Sequence, residues 1–164
     1  MSTKIELDFW SIPCGHEEMR HPLLCKTIEH IVRKFGPIEG RTRLVKLVYL
    51  SDLEWYRRTG HTYTEASYYR YNHGPFAKEI LAAVDEMDGR EIVVRSEPFN
   101  DGLTYRYESG TVSRLGGIVL DAGFVTTVDR VANEWAKRPI THLLNFVYAD
   151  QGFKSRDFGD PLLQ

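Results

Sequence analysis

The sequence predicts a mainly α-helical protein, α+β by strict count, in which a small helical bundle surrounds a central helix. Two observations carry this prediction. Residues 41–59 are apolar over more than half of a helical circumference, which is typical of a helix that is covered on several sides. Strand-like alternation is confined to a short aromatic strand near residues 67–71 and one β-hairpin within residues 92–107. The length fits one domain: residues 1–21 are predicted as an irregular N-terminal arm, and residues 22–164 as the domain.

Start and stop residues delimit the individual elements. Pro22 favours the first position of a helix that Gly36 and Pro37 stop, and Gly60 ends the central helix. The remaining predictions are a third helix from Pro75 to Met87, hairpin strands at 92–94 and 103–107 around Asn100-Asp101-Gly102, helices over 121–137 and 141–148, and a coil over 152–164.

Composition excludes several classes of protein. Hydrophobic residues make up 42% of the chain and charged residues 27%, which is enough apolar material for a folded core. A net charge of -2 argues against a general nucleic-acid binder, which has a basic excess. No stretch approaches the roughly 18 apolar residues of a membrane span. With two cysteines and an acidic N-terminus, the chain is expected to be soluble, reduced and cytoplasmic.

The near-neutral total conceals a split between regions. Residues 26–70 contain nine bases and five acids, whereas residues 79–108 contain eight acids and three bases. This separation suits a molecule that presents two oppositely charged surfaces to a partner.

Metal-ligating side chains cluster once, near the N-terminus. Cys14, His16, His21 and Cys25 are all competent zinc ligands within twelve residues. Their spacing matches no common zinc signature, and Pro22 explains the local geometry as a helix start. We therefore predict no metal or other cofactor and expect Cys25 to be a small buried hydrophobe.

Catalytic patterns are sparse. His61, His73 and Asp52 could form an acid-base set, but no Gly-x-Ser-x-Gly elbow and no phosphate-binding glycine loop occurs. Asp52 and Glu54 are expected as surface acids of the central helix. The sequence thus predicts a protein that is not an enzyme.

Residues 55–73 combine aromatic and basic side chains at unusual density. Tyrosine, tryptophan and arginine dominate protein-binding hot spots, because they bury large areas and keep a polar group. Alternation along the strand places Tyr68 and Arg70 on one face and Tyr69 and Tyr71 on the other. We predict a partner-binding surface formed by Arg57, Arg58, Tyr68 and Arg70.

The segment 43–79 resembles the Panacea domain of SocA-like antitoxins and phage-associated GepA-like proteins. The similarity continues through the hairpin and C-terminal helices over residues 22–164, and the N-terminal arm has no counterpart. Its motif is carried by Lys46, Tyr49 and Asp52 on the central helix and by Tyr71, His73, Gly74 and Pro75 after the aromatic strand.

The His73-Gly74-Pro75 turn has a structural interpretation of its own, and the resemblance implies a binding protein. Gly74 would adopt an unusual backbone angle, Pro75 would start a helix, and His73 would bond nearby carbonyls or remain a binding residue. The family implies an antitoxin that neutralises its cognate toxin, encoded by a neighbouring gene, through direct protein-protein binding. One branch implies an alternative, an adaptor that delivers its toxin to an AAA+ protease.

A third alternative comes from the residues themselves. Arg41, Arg43 and Lys46 lie at the start of the central helix, where bases oppose the helix dipole. Such bases could serve a DNA-binding autoregulator, although the overall acidity makes nucleic acid the weaker partner. Association with further copies of the same chain, as a homo-oligomer, is a further alternative.

Overall fold

The computed structural model describes residues 19–164, and helices form 48% and strands 19% of this part of the chain. The protein is therefore α+β, in line with the strict count expected from the sequence. In chain order the elements are α1 (Pro22–Phe35), β1 (Ile38–Glu39), α2 (Arg41–Thr59), β2 (Tyr68–Tyr71), β3 (Gly74–Phe76), α3 (Lys78–Met87), β4 (Ile92–Phe99), β5 (Gly102–Ser109), α4 (Ala122–Trp135), α5 (Ile140–Tyr148), α6 (Gln151–Lys154) and β6 (Pro161–Leu162).

Helix α2 is the central element, as predicted. Its residues 43–53 are buried without interruption, because α1, α4, α5, β1 and β3 cover it from different sides. A run of eleven buried residues exceeds three helical turns, so no face of this stretch is left to solvent. No helix within residues 19–164 combines the length and the apolar character that crossing a bilayer requires.

The predicted hairpin is present and longer than expected. Strands β4 and β5 pair in antiparallel register from Ile92 opposite Ser109 to Phe99 opposite Gly102. The two-residue connection places Asn100 at φ 52°, a conformation that asparagine tolerates. Strand β1, which the sequence did not predict, pairs with β5 and completes a sheet of order β1-β5-β4.

The second sheet corrects two predictions. Its order is β3-β2-β6, so Pro75 lies in a strand opposite Arg70 and the third helix starts only at Lys78. Proline suits this position because β3 is an edge strand with no further neighbour to receive an N–H. The predicted coil over 152–164 instead contains α6 and β6, and β6 pairs with Tyr68 and Tyr69. A local pattern could not reveal β6, because its partner strand lies some ninety residues earlier in the chain.

Candidate functional site

Asp52 is buried at the core of the family motif. Its Oδ1 accepts hydrogen bonds from the backbone N–H groups of Tyr63 at 2.9 Å and Thr64 at 3.0 Å. Its Oδ2 accepts from the Tyr68 hydroxyl at 2.6 Å and from the Thr64 hydroxyl. Burial raises the pKa of this carboxyl group, and the four donors oppose that rise. The expectation of a surface acid is wrong for Asp52, which joins α2 to the aromatic strand.

Tyr68 is buried as well, so it does not lie on the predicted partner-binding surface. None of its surface is exposed, and its ring packs edge-to-face on Tyr49 with 5.1 Å between centroids. Burial and the adjacent Asp52 carboxylate raise the pKa of its hydroxyl. Both Tyr49 and Tyr68 thus serve the packing of β2 against α2.

Lys46 connects the other half of the motif. Only 2% of this residue is exposed, and its ammonium donates to the carbonyl oxygen of Pro75 at 2.7 Å. Burial lowers the pKa of Lys46 to about 8, because the interior solvates an ammonium group less well than water does. The lysine therefore joins α2 to the turn that follows β2.

Gly74 is required at that turn for two reasons. Its φ of +95° is a conformation that other residues rarely adopt. A Cβ at this position would also lie 2.9 Å from Cε1 of Tyr148 and 3.1 Å from Cε of Lys46. His73, which precedes Gly74 in the turn, is exposed. Its side chain forms no hydrogen bond with residues 19–164, so the predicted carbonyl contact is absent there.

Tyr71 and Phe158 form an exposed aromatic pair beside the motif, which we call the aromatic ridge. Their ring centroids are 5.6 Å apart at 74°, and 42% of Tyr71 and 65% of Phe158 is exposed. Tyr71 also packs edge-to-face on Phe76. Exposed aromatic side chains that contact one another are typical of surfaces that bind a partner.

Two cavities adjoin the aromatic ridge and share Tyr71, Asn72 and Phe158 as lining residues. The motif cavity, of about 400 Å³, is additionally lined by Arg41, Thr42, Val45, Lys46, His73, Gly74 and Phe76. The tail cavity, of about 510 Å³, is additionally lined by Arg70, Tyr148, Phe153, Lys154 and Asp157.

The three predicted arginines are held by the C-terminal half of the chain. Arg57 is exposed and forms an ion pair with Asp150. Arg58 is also exposed, donates to the Thr127 hydroxyl at 2.8 Å and lies over the Trp55 ring. The structure brings Arg70, but not these two, to the tail cavity.

Arg70 is half-buried against the C-terminal segment. It donates to the carbonyl oxygens of Phe153, at 3.1 Å, and of Arg156. Its guanidinium also lies 4.4 Å from the centroid of the Phe153 ring. Arg70 thereby shapes the tail cavity.

The bases at the start of α2 serve the interior rather than a nucleic-acid surface. Arg43 is 8% exposed and donates to the carbonyl oxygen of Trp135 at 2.8 Å, and Lys46 is buried as described. Arg41 alone is exposed, with its guanidinium 4.3 Å from the centroid of the Tyr105 ring. Two of the three bases that favoured a DNA-binding autoregulator are therefore buried and do not form a basic surface.

The metal-ligand prediction falls partly outside the described residues, which exclude Cys14 and His16. Cys25 is fully buried, as expected, and burial raises the pKa of its thiol to about 12. Within residues 19–164, no three His, Cys, Asp or Glu side chains are placed to hold a metal ion.

Sequence reasoning missed Phe158 and the cavities. Phe158 is followed closely by Gly159 and Pro161, in a segment with few apolar residues to pack against. An aromatic residue in such a segment is the one sequence signal that could have indicated an exposed ring. The cavities offered no signal, since their walls come from α2, from the β2–β3 turn and from the segment after α6.

Comparison with known proteins gives one match. The family model described as "Antitoxin SocA-like, Panacea domain" matches residues 44–152, which is about two thirds of the chain and includes the whole motif. No curated protein and no solved structure matches the chain.

Proposed function

The chain belongs to the SocA-like antitoxin family that carries the Panacea domain, and from this premise we propose that it neutralises a toxin protein by direct contact. The contact surface we propose is the aromatic ridge with its two adjoining cavities. The observation that carries this choice is the exposure of Tyr71 and Phe158 beside the buried motif residues Lys46, Gly74 and Pro75.

The motif contains a buried group and an exposed group of residues, and this separation supports the same choice. Asp52, Lys46 and Gly74 form buried contacts that hold the β2–β3 turn in place. Tyr71 and His73 extend from that turn into solvent. A rigidly held turn with exposed aromatic residues loses little side-chain freedom when it binds a protein.

Arg57, Arg58 and Arg70 remain proposed contact residues. Arg70 lines the tail cavity, whereas Arg57 and Arg58 lie outside both cavities and would extend the contact surface beyond them. Each has a hydrogen-bonding partner within the chain, which fixes the orientation of its guanidinium. An arginine that is already oriented can bind a carboxylate of a partner at a reduced entropic cost.

Co-expression with the toxin from the neighbouring gene tests the proposal. The double variant Tyr71→Ala/Phe158→Ala is expected to lose growth rescue, since loss of a hot-spot residue weakens binding by about 30-fold or more. The matched control is Phe99→Ala/Leu103→Ala, which removes two comparably exposed apolar side chains at the hairpin tip. Full rescue by a folded ridge variant would refute the proposed surface.

Two further arms define the mechanism. Arg57→Glu/Arg58→Glu tests the charged contacts, and rescue at the wild-type level would remove these residues from the surface. Toxin abundance, measured with and without the AAA+ proteases of the host, separates masking from delivery. An antitoxin that only masks leaves toxin abundance unchanged, whereas an adaptor lowers it in a protease-dependent way.

A further inference from the structure

The motif cavity has an unbalanced charge. Its walls carry the cations Arg41 and Lys46 together with the imidazole of His73, and among residues 19–164 no Asp or Glu lines it. The excess is local, since the chain as a whole has a net charge of -2. A wall with cations and no counter-charge attracts an anionic group from outside.

Lys46 is the more buried of the two cations that line this cavity. Its ammonium has three donors, and the one hydrogen bond that it forms within residues 19–164 is to the Pro75 carbonyl. Burial lowers the pKa of Lys46 to about 8. A carboxylate bound at Nζ would compensate this lost hydration.

Apart from Thr42 and Asn72, the remaining walls are mainly apolar, and they indicate which groups of a ligand would lie beside its anion. Val45, Phe76 and the two ridge residues line the motif cavity, and the ridge continues into the tail cavity. An isolated small anion would leave this apolar surface uncovered. A polypeptide segment that crosses the ridge would cover it and occupy both cavities.

We propose that the motif cavity binds the carboxylate of an Asp or Glu side chain, which the partner protein presents from an extended segment with apolar residues on either side. Lys46 forms the ion pair, Arg41 adds charge at the rim, and the aromatic ridge packs on the flanking apolar side chains. This inference rests on the proposed function, because it assigns the chemistry of the partner at the same surface.

Short peptides test the assignment without the toxin. The probes are acetyl-Gly-Phe-Glu-Phe-Gly-amide, the same peptide with Gln in place of Glu, and acetyl-Gly-Phe-Gln-Phe-Gly with a free terminal carboxylate. Binding to the full chain is followed by NMR titration to millimolar concentration. We expect the Glu peptide to bind at least about tenfold more tightly than the Gln peptide, since only the former completes a charge-assisted hydrogen bond.

Variants connect this preference to the cavity. Lys46→Met is expected to abolish the difference between the peptides, and Lys26→Met, which changes a lysine outside the cavity, is expected to retain it. Thr42→Glu keeps the Lys46 side chain and adds a carboxylate to the cavity wall. It is expected to exclude the Glu peptide even if Lys46→Met fails to fold.

Several results of these titrations would overturn the inference. Equal binding of the Glu and Gln peptides, or no binding of either, overturns the carboxylate assignment. Preference for the free chain terminus overturns the side-chain source, and undiminished Glu-peptide binding by Thr42→Glu overturns the location. Peptide discrimination together with full rescue by the ridge variant would refute the proposed toxin-contact surface and leave carboxylate binding by the cavity standing. Equal binding of the Glu and Gln peptides together with loss of rescue by the ridge variant would refute this inference alone.

Discussion

The hydroxyl of Tyr68 donates to the carboxylate of Asp52 at 2.6 Å, and neither residue has any surface exposed to solvent. The same carboxylate accepts both backbone N–H groups of Tyr63 and Thr64. One side chain of α2 therefore satisfies polar groups of the connecting loop and of the aromatic strand at once. A buried carboxylate is tolerated only when its lone pairs are satisfied in this way.

Tyr68→Phe is expected to lower the free energy of unfolding by about 1–3 kcal/mol, because it leaves a buried carboxylate with one donor fewer. The ring and its contact with Tyr49 remain, so packing is preserved. Urea unfolding measures the change. Toxin rescue is expected to persist wherever the variant is folded, since the hydroxyl is not at the surface.

The matched control is Tyr71→Phe, which removes a hydroxyl from an exposed tyrosine of the same strand. Its effect is expected to stay within about 0.5 kcal/mol of zero. Equal effects of the two substitutions would contradict the role given to the Asp52 carboxylate.

Lys46 is expected to make stability depend on pH. Its pKa is about 8 in the folded chain and 10.5 when unperturbed, so the unfolded state binds more protons between these values. Stability contributed by this group therefore rises with pH across that window and is lowest below pH 8. The full gain is about 3 kcal/mol by the linkage between pKa and free energy.

The measurement compares urea unfolding of the wild type and Lys46→Met at several pH values. Other titrating groups, including tyrosines with raised pKa, are common to both proteins and cancel in the difference. The wild type is expected to gain on the variant as the pH rises from 8 to 10.5. A difference that is constant with pH would show that the Lys46 ammonium is not desolvated.

Gly74→Ala is expected to be more destabilising than an alanine at another left-handed glycine. Gly60 is the matched control, because its φ is +83° and a Cβ there would meet nothing within 4 Å. Both substitutions cost about 1–2 kcal/mol of backbone strain. Gly74→Ala adds overpacking against Tyr148 and Lys46, worth about 1–3 kcal/mol more. Equal thermal unfolding of the two variants would contradict the close approach.

Arg70→Met is expected to loosen the C-terminal segment without unfolding the domain. The substitution removes charge-assisted hydrogen bonds to the carbonyls of Phe153 and Arg156, so hydrogen exchange over residues 153–160 should accelerate about tenfold. Arg130→Met, which breaks an exposed ion pair with Glu54, is the control and should leave this segment unchanged. Unchanged hydrogen exchange over residues 153–160 in Arg70→Met would show that Arg70 does not hold the C-terminal segment in place.

Sequence patterns predicted most of the helices because each helix buries a stripe that repeats within its own residues. The central position of α2 was predictable for the same reason, because a helix with apolar residues around most of its circumference packs against other elements on several sides. The start of α3 was misplaced, because Pro75 suits both a helix start and an edge strand. Only its pairing with Arg70 distinguishes the two.

Alternation predicted which strand residues share a face but not which of them are buried. Along β2, burial decreases from Tyr68, which is fully buried, to Tyr71, which is exposed. Tyr68 is the residue of this strand that donates to Asp52, and a two-residue period contains no information on such a contact. The exposed residue of interest was therefore Tyr71 rather than Tyr68.

The sequence by itself determined the central helix, the hairpin, the short aromatic strand and the membership of an antitoxin family, because each depends on residues close together in the chain. The tertiary structure decided which motif residues are structural and which are exposed. Asp52 and Lys46 are buried because distant segments cover them and provide their hydrogen-bonding partners. Tyr71 and Phe158, 87 positions apart in the numbering, become one surface only because β6 returns the chain to β2.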